Sequence, residues 1–396
     1  MKMKVLIADK FPDQYIQKLK NADIEVIYQP KLGENDLPEA AKNVDCLVVR
    51  STVVNANTIE KSEQLNLIVR AGAGVNNIDI AAANKKGIYV SNCPGKNSIA
   101  VAELAVGLMI SLDRRICHNV ADFKKGVWNK GEYSKAEGLF GKTIAIVGYG
   151  AIGKEVAKRA QVFGMNVYAK DVARIEGYGV KDFSEFDQIL PIADVVTVHL
   201  PQTPETKNLF NDKMFGYLKP GAIFINTSRA GVVDEDALVR AVKEKGLKVG
   251  LDVFKGEPES KDGPVSSVLQ GLDNVYVTHH IGASTEQAQN AVAEETVNII
   301  LSYIQSGIIA HWVNRAKVQD RHYQLVVKHY DKPGVLSSVL DVLKEGDINI
   351  EEVENTIFEG GMVACCTMKL KAPLKANMLE AIRKNPNVIS FSHMQI

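Results

Sequence analysis

Lys142-Thr-Ile-Ala-Ile-Val-Gly-Tyr-Gly-Ala-Ile-Gly153 decides the fold of this chain. Its first half is an apolar run of strand length, and its second half carries glycine at 148, 150 and 153 before a helical pattern over 154–163. Gly148 permits a tight turn, Gly150 lets the backbone approach a pyrophosphate, and Gly153 lets helix and strand pack closely. Ala151 and Ile152, between the second and third glycines, count with them as cofactor-binding candidates, and the helix start beyond offers unpaired N–H groups and the positive end of the helix dipole. Three glycines alone are weak evidence for a dinucleotide site. Here the next strand, 166–169, ends just before Asp171, whose carboxylate suits ribose hydroxyls and repels a 2′-phosphate. The expected cofactor is therefore NAD. Lys170 and Arg174 flank that acid and are able to accommodate a phosphate, so the strictness of NAD over NADP stays open.

Outward from this stretch the same alternation continues. Strand-like runs follow at 194–198, 222–226, 248–251 and 274–278. Upstream they lie at 4–8, 24–28, 46–50, 67–70 and 88–90, with a long helical pattern at 98–116. Short, near-continuous apolar runs separated by helices predict parallel sheets covered on both faces. A helix over 286–306 ends at Gly307, and its position suggests a return to the first sheet. From about residue 320 the pattern becomes β-α-β-β-α-β, a split, ferredoxin-like arrangement. The expected fold class is α/β, with two Rossmann-like parallel-sheet domains and a small ferredoxin-like unit at the C-terminus.

Bulk properties narrow the function. Among 396 residues, 46% are hydrophobic and 24% charged, as in an ordinary globular protein. Lys plus Arg (47) balance Asp plus Glu (47), so no global field favours nucleic acid or an anionic membrane. The apolar stretch 5–8 is too short for a signal-peptide core, and 99–110 is broken by Glu103. Cysteines 46, 93, 117, 365 and 366 show no metal spacing, and reduced thiols in the cytoplasm are expected.

Three strands end in chemically loaded loops: Thr227-Ser228-Arg229, then Asp252 with Glu257, then His279-His280. Ligands of open α/β sheets sit outside the carboxyl ends of the strands, where such loops converge. Oxidising a hydroxyl beside a carboxylate needs a cation for the carboxylate, a base for the hydroxyl proton and a hydride acceptor. Arg229 suits the first through its planar fork, and a histidine suits the second through its near-neutral pKa. A neighbouring carboxylate, Glu257, would favour imidazolium and orient the ring. On residue type alone His279 and His199 rival His280.

These residues carry a resemblance. Val49-Arg-Ser51, Arg70-Ala-Gly-Ala-Gly74, Asn92-Cys-Pro-Gly95, the glycine turn, His199-Leu-Pro201, Asn226-Thr-Ser-Arg229, Leu251-Asp-Val-Phe254 and His280-Ile-Gly-Ala-Ser-Thr285 resemble the D-isomer-specific 2-hydroxyacid dehydrogenases over nearly the whole length. The match is fullest to members that oxidise D-3-phosphoglycerate to 3-phosphohydroxypyruvate, the first step of phosphorylated serine biosynthesis. The resemblance implies Arg229 on the substrate carboxylate, His280 as acid/base, Glu257 as its partner, and Asp252 on the nicotinamide amide. It implies that backbone N–H groups of Ala73 and Gly74 share the carboxylate. His199 would lie beside the adenosine half of the cofactor rather than act as base, and Arg50, Arg70 and Lys130 would hold a phosphate. It makes 1–95 with 281–313 a substrate-binding domain, 96–280 an NAD-binding domain, and 320–396 a regulatory domain. Asn76 and His279 depart from the family pattern, where Asp and Pro are usual. An enzyme for an unphosphorylated acid (glycerate, glyoxylate, lactate) and a dinucleotide-sensing corepressor are the alternatives.

The segment from 320 resembles an ACT domain, a small-molecule-sensing module. His329 and Asn349 match the amino-acid grip of serine-inhibited members, while Asp331 replaces an Asn and cannot donate when ionised. The expected partners are a small-molecule substrate, an amino-acid effector, and further copies of the chain in a homodimer or homotetramer.

Overall fold

The computed structural model describes residues 2–173, 175, 177, 179–183, 185–258, 263–316 and 322–396. They form two compact units, Met1–Asn314 and Arg315–Ile396. Arg174 lies outside the described residues.

The first unit holds two parallel sheets. One is built from β1 (Lys4–Ile7), β2 (Glu25–Tyr28), β3 (Cys46–Val49), β4 (Leu67–Arg70) and β5 (Tyr89–Asn92), in the order β2-β1-β3-β4-β5. The other comprises β6 (Thr143–Val147), β7 (Asn166–Lys170), β8 (Val180–Asp182), β9 (Val195–Val198), β10 (Ile223–Asn226), β11 (Lys248–Leu251) and β12 (Val275–Val277). Its order is β12-β11-β10-β9-β6-β7-β8. Central strands such as β3, β9 and β10 are buried throughout, which their largely apolar runs anticipate. In each sheet the strand order reverses beside the first strand, between β1 and β3 and between β6 and β9. Crevices open at such switch points, and the loops described below leave from them.

Two helices tie the sheets together. After β5 the chain enters the helix Ser98–Arg114, whose Ala102, Ala105, Leu108 and Met109 join the core around β6 and β10. Gly250 leaves room for it, since a Cβ there would sit 3.1 Å from Leu108 Cβ. The helix Glu286–Ser306 packs Ala293, Val297, Ile299 and Ile300 against β1, β3 and β4 of the first sheet. Thr285 caps it by accepting the Ala288 N–H at 3.1 Å. The two crossing segments are fastened to each other. Cys93 Sγ lies 3.4 Å from Thr296 Oγ1, and Lys96 Nζ lies 2.9 Å from Glu295, which also bonds His311 at 2.8 Å.

The helix expected over 98–116 is interrupted. Arg115 takes a left-handed conformation (φ 50°), and a second helix, Ile116–Lys124, follows. The Arg115 guanidinium pairs with Glu132 at 2.5 Å and lies over the Tyr133 ring, contacts that periodicity does not register.

The second unit is an antiparallel sheet of β13 (Tyr323–Tyr330), β14 (Ile350–Ile357), β15 (Val363–Leu370) and β16 (Val388–Gln395), in the order β14-β15-β13-β16. The helices Val335–Glu345 and Ala376–Lys384 cover it through Val339, Leu343, Met378 and Ile382. Its element order is the βαββαβ expected from the sequence. Within it Cys366 is buried and Cys365 only half-buried, as alternation on a strand requires.

Candidate active site

The glycine turn forms as its composition dictates. Gly148 has φ 96°, and a Cβ there would meet the His199 carbonyl oxygen at 2.5 Å. At Gly153 a Cβ would fall 2.1 Å from the Gly148 oxygen, whereas nothing lies within 4 Å of a Cβ on Gly150. The helix Ala151–Val162 starts at Gly150 with no side chain capping it, so its first N–H groups are left to a ligand. Asp171 Oδ2 accepts the Tyr149 N–H at 2.5 Å, and Oδ1 accepts the Val172 N–H at 2.7 Å. Asp171 thus braces the turn. Two buried polar atoms, His199 Nδ1 and Thr227 Oγ1, have no hydrogen-bond partner. They follow the adjacent strands β9 and β10, where a dinucleotide would cross the sheet. An open cradle, a free helix start and two orphaned polar atoms fit NAD.

His199 is the histidine less suited to proton transfer. Burial pushes its pKa down to about 3, and Nε2 lies 2.9 Å from Thr197 Oγ1.

The expected trio does converge. His280 Nδ1 lies 2.7 Å from Glu257 Oε2, and the other carboxylate oxygen accepts the Phe254 N–H at 2.9 Å. The hydrogen bond from Glu257 is the main cause that raises the His280 pKa above its usual 6.5, against some burial. Arg229 stands close enough to enter that balance as an opposing charge. Its own Nη1 donates to the Ser228 carbonyl at 2.7 Å, and burial lowers its pKa. Asn226, 1% exposed, organises this loop: Nδ2 donates to the Arg229 carbonyl, and Oδ1 accepts from Ser228 N–H and Oγ.

His280 itself has φ 51°, an unusual conformation for a non-glycine residue. Asp252, 1% exposed, holds it there. Its Oδ1 accepts Thr278 Oγ1–H at 2.6 Å and Ile281 N–H at 2.9 Å, and Oδ2 accepts Gly282 N–H at 2.8 Å. The carboxylate expected on the nicotinamide amide is thus largely committed to the histidine loop.

The first sheet supplies cations. Arg70 Nε donates to the Arg50 carbonyl at 3.1 Å. Burial, then Arg229 and then Arg50, bring the Arg70 pKa down to about 10. Glycines keep this crowding possible: a Cβ on Gly72 would fall 1.7 Å from Arg70 Nη1, and one on Gly74 would fall 2.5 Å from Arg229 Nη2. The loop of Arg50 is fixed by Asp9 Oδ2, which accepts the N–H groups of Arg50, Ser51 and Thr52. Ala73 lies in the loop after β4, between Gly72 and Gly74, its carbonyl accepting from Asn92 Nδ2 at 2.5 Å.

Other expected residues are not brought into the cluster. Lys130 opens the short helix Lys130–Tyr133 in a pocket of about 200 Å³ with Phe123, Trp128 and Tyr133; none of Arg50, Arg70 and Arg229 lines it. His329 is buried on β13, its Nδ1 2.8 Å from the Tyr330 carbonyl and its Nε2 3.4 Å from Asn355. Asp331 and Asn349 are exposed, and among the described residues no contact joins either side chain to His329. A cavity of about 530 Å³ shares Phe254 and His279 with the site loops but is lined by none of Arg229, Glu257 and His280. The bracing roles of Asp9 and Asn226 are not legible in the sequence, because they are set by which groups approach them in three dimensions.

Residues 106–282 match the family described as D-isomer specific 2-hydroxyacid dehydrogenase, NAD binding domain. The chain is 35% identical over 388 residues to a D-3-phosphoglycerate dehydrogenase of Methanocaldococcus jannaschii, covering 96% of this chain and 72% of that one. It is 39% identical over 299 residues to a hydroxypyruvate reductase of Thermotoga maritima, covering 75% and 97%. Among solved structures, NAD-bound 3-phosphoglycerate dehydrogenase of Entamoeba histolytica aligns with a TM-score of 0.68 at 28% identity, over 81% of this chain and all (100%) of that one. A glycine cradle suited to NAD and a paired imidazole near half-buried arginines agree with those matches, and the chain belongs to the NAD-dependent D-isomer-specific 2-hydroxyacid dehydrogenases.

Proposed function

We propose that the protein oxidises D-3-phosphoglycerate to 3-phosphohydroxypyruvate with NAD, the first step of phosphorylated serine biosynthesis. The observation that carries this reading is the crowding of Arg50, Arg70 and Arg229. Burial, then the charges of Arg229 and Arg50, depress Arg70, and among the described residues no carboxylate side chain hydrogen-bonds any of the three. Half-buried like charges call for an anionic partner, and a substrate with a carboxylate at one end and a phosphate at the other supplies it.

On this reading Arg229 holds the carboxylate, and Arg50 and Arg70 hold the phosphate. Glu257 accepts the proton on His280 Nδ1, which leaves Nε2 to take the substrate hydroxyl proton. The chemistry that NAD supplies when bound is acceptance of hydride. Asp252 and Asn226 keep the two loops in place while His280 gains and loses its proton. Asp171, expected on the adenosine ribose, fits NAD.

Comparing kcat/KM for phosphohydroxypyruvate and hydroxypyruvate through NADH absorbance tests the substrate. A preference on the order of 100-fold is expected from one charge-assisted site; equal constants would overturn the reading.

The C-terminal unit is proposed as an ACT-like sensor of an amino acid such as serine, supported by its βαββαβ order. Calorimetry with serine tests it, and absence of binding sinks it. A homo-oligomer is proposed from the helix Ile116–Lys124, which buries none of its residues and leaves Ile116, Val120 and Phe123 exposed. No helix among the described residues is long and apolar enough to cross a membrane.

A further inference from the structure

Two consecutive backbone N–H groups in the turn before Glu257 are taken by two different glutamates. Phe254 N–H donates to Glu257 itself, and Lys255 N–H donates to Glu235. Glu235 is far away in sequence, at the start of the helix Glu235–Lys245, and it is only 8% exposed. That helix is anchored by Ala237, Leu238, Ala241 and Val242 in the core of the seven-stranded sheet. Glu235 therefore links a rigid element to a turn with little regular structure of its own.

A glutamate at a helix start has an ordinary use, satisfying the first N–H groups. Here that need is met by Asp234, whose Oδ1 accepts the N–H groups of Asp236 and Ala237. Glu235 instead turns inward, where burial raises its pKa and the Lys255 N–H and charge act against that rise. A carboxyl is costly to bury unless bonded, so its retention at this point needs a reason on the turn side. The reason lies in the next contact. Glu257 divides its carboxylate between Phe254 N–H and His280 Nδ1, so the orientation of the imidazole depends on where residues 254 and 255 sit. Gly256, at φ 86°, supplies the left-handed step that the turn takes between residues 255 and 257.

We propose that Glu235 is a positioning residue for the Glu257–His280 pair: by holding the Lys255 N–H from the helix Glu235–Lys245, it fixes the turn from which Glu257 reaches the histidine. It touches neither substrate nor cofactor in this role. The inference rests on the reading of His280 as acid/base for its effect on turnover, but not for its effect on the imidazole.

The test uses the full chain with Glu235→Met, which keeps volume and helix propensity but lacks an acceptor, and Glu235→Gln, which keeps an oxygen for Lys255 N–H. Steady-state constants are measured, and the His280 ring is titrated by NMR in protein without cofactor. Expected for Glu235→Met is a kcat about tenfold lower, as for one lost orienting hydrogen bond, with KM for NAD unchanged. Its His280 titration falls toward 6.5, because Glu257 no longer holds its place. Glu235→Gln restores kcat to within about twofold of the parent. A Glu235→Met protein with parental kcat and parental His280 titration overturns the proposal, even if its Tm falls. So does a Glu235→Gln protein as impaired as Glu235→Met. If Glu235→Met does not accumulate, Glu235→Asp, whose arm is one methylene shorter, takes its place. Should Glu235→Met move the titration but not kcat, positioning stands and the acid/base assignment of His280 fails.

Discussion

The strand ends of the five-stranded sheet and those of the seven-stranded sheet meet over one cleft with different inventories. From the first come Arg50 and Arg70, placed by backbone bonds: Asp9 grips the loop of Arg50, and Arg70 is hooked to the Arg50 carbonyl. No imidazole or carboxylate–imidazole pair stands among them. From the second come a cofactor cradle, a guanidinium and a histidine held by a carboxylate. On the proposed reading one sheet selects and the other reacts. Recognition made by fixed charges tolerates a scaffold with little proton chemistry, whereas the reacting sheet needs groups whose ionisation is tuned by neighbours. The two contributions should therefore separate on mutation.

The largest effect is expected at His280. His280→Asn should lower kcat by a factor on the order of 1,000, read by NADH absorbance, with NAD binding retained by fluorescence quenching. Near-parental turnover would abolish the division between sheets.

Glu257→Gln comes next, with kcat lower by about 100-fold and a displaced pH profile. Glu257 raises the His280 pKa above 6.5, so oxidation, which needs neutral imidazole, should fall as pH drops through a limb lying above 6.5. Removing the carboxylate moves that limb to lower pH. Reduction needs imidazolium and should fade as pH rises through the same limb. An unmoved limb would show that the pair does not set the titration.

The smallest effect sharpens the contrast. Arg70→Ala should reduce the preference for phosphohydroxypyruvate over hydroxypyruvate by about tenfold, with kcat for the unphosphorylated acid within about twofold of the parent. Equal losses on both substrates would mean that Arg70 serves the chemistry as well.

Much of this arrangement was legible in local sequence. The runs that became β6, β9, β10 and β11 are mostly apolar, and the glycines at 148 and 153 face steric limits that other residues fail. Polar residues placed right after a strand had one place to go, the crevice at its carboxyl end. Arg229, Glu257 and His280 were found in this way. What escaped were hydrogen bonds chosen by tertiary approach. Asp252 reads as a ligand group but spends its oxygens on Thr278, Ile281 and Gly282. Glu235 reads as a helix-start acid, yet faces inward. Lys130 reads as a phosphate cation and stands instead in a pocket with Trp128. In the C-terminal unit, strand alternation predicted β13 to β16, while the pairing of His329 with its own neighbour's carbonyl left no trace in spacing.

The chain crosses between the two sheets twice, and Cys93–Thr296 and Lys96–Glu295 rivet one crossing to the other. Two tethers far apart would stiffen the molecule against bending, whereas two tethers pinned side by side form a single joint. Rotation about the line they define strains neither, while sliding or shear stretches both. Were the cleft to open and shut, such a joint would confine the motion to one angular coordinate and return the arginines of one sheet to the same register with the histidine of the other.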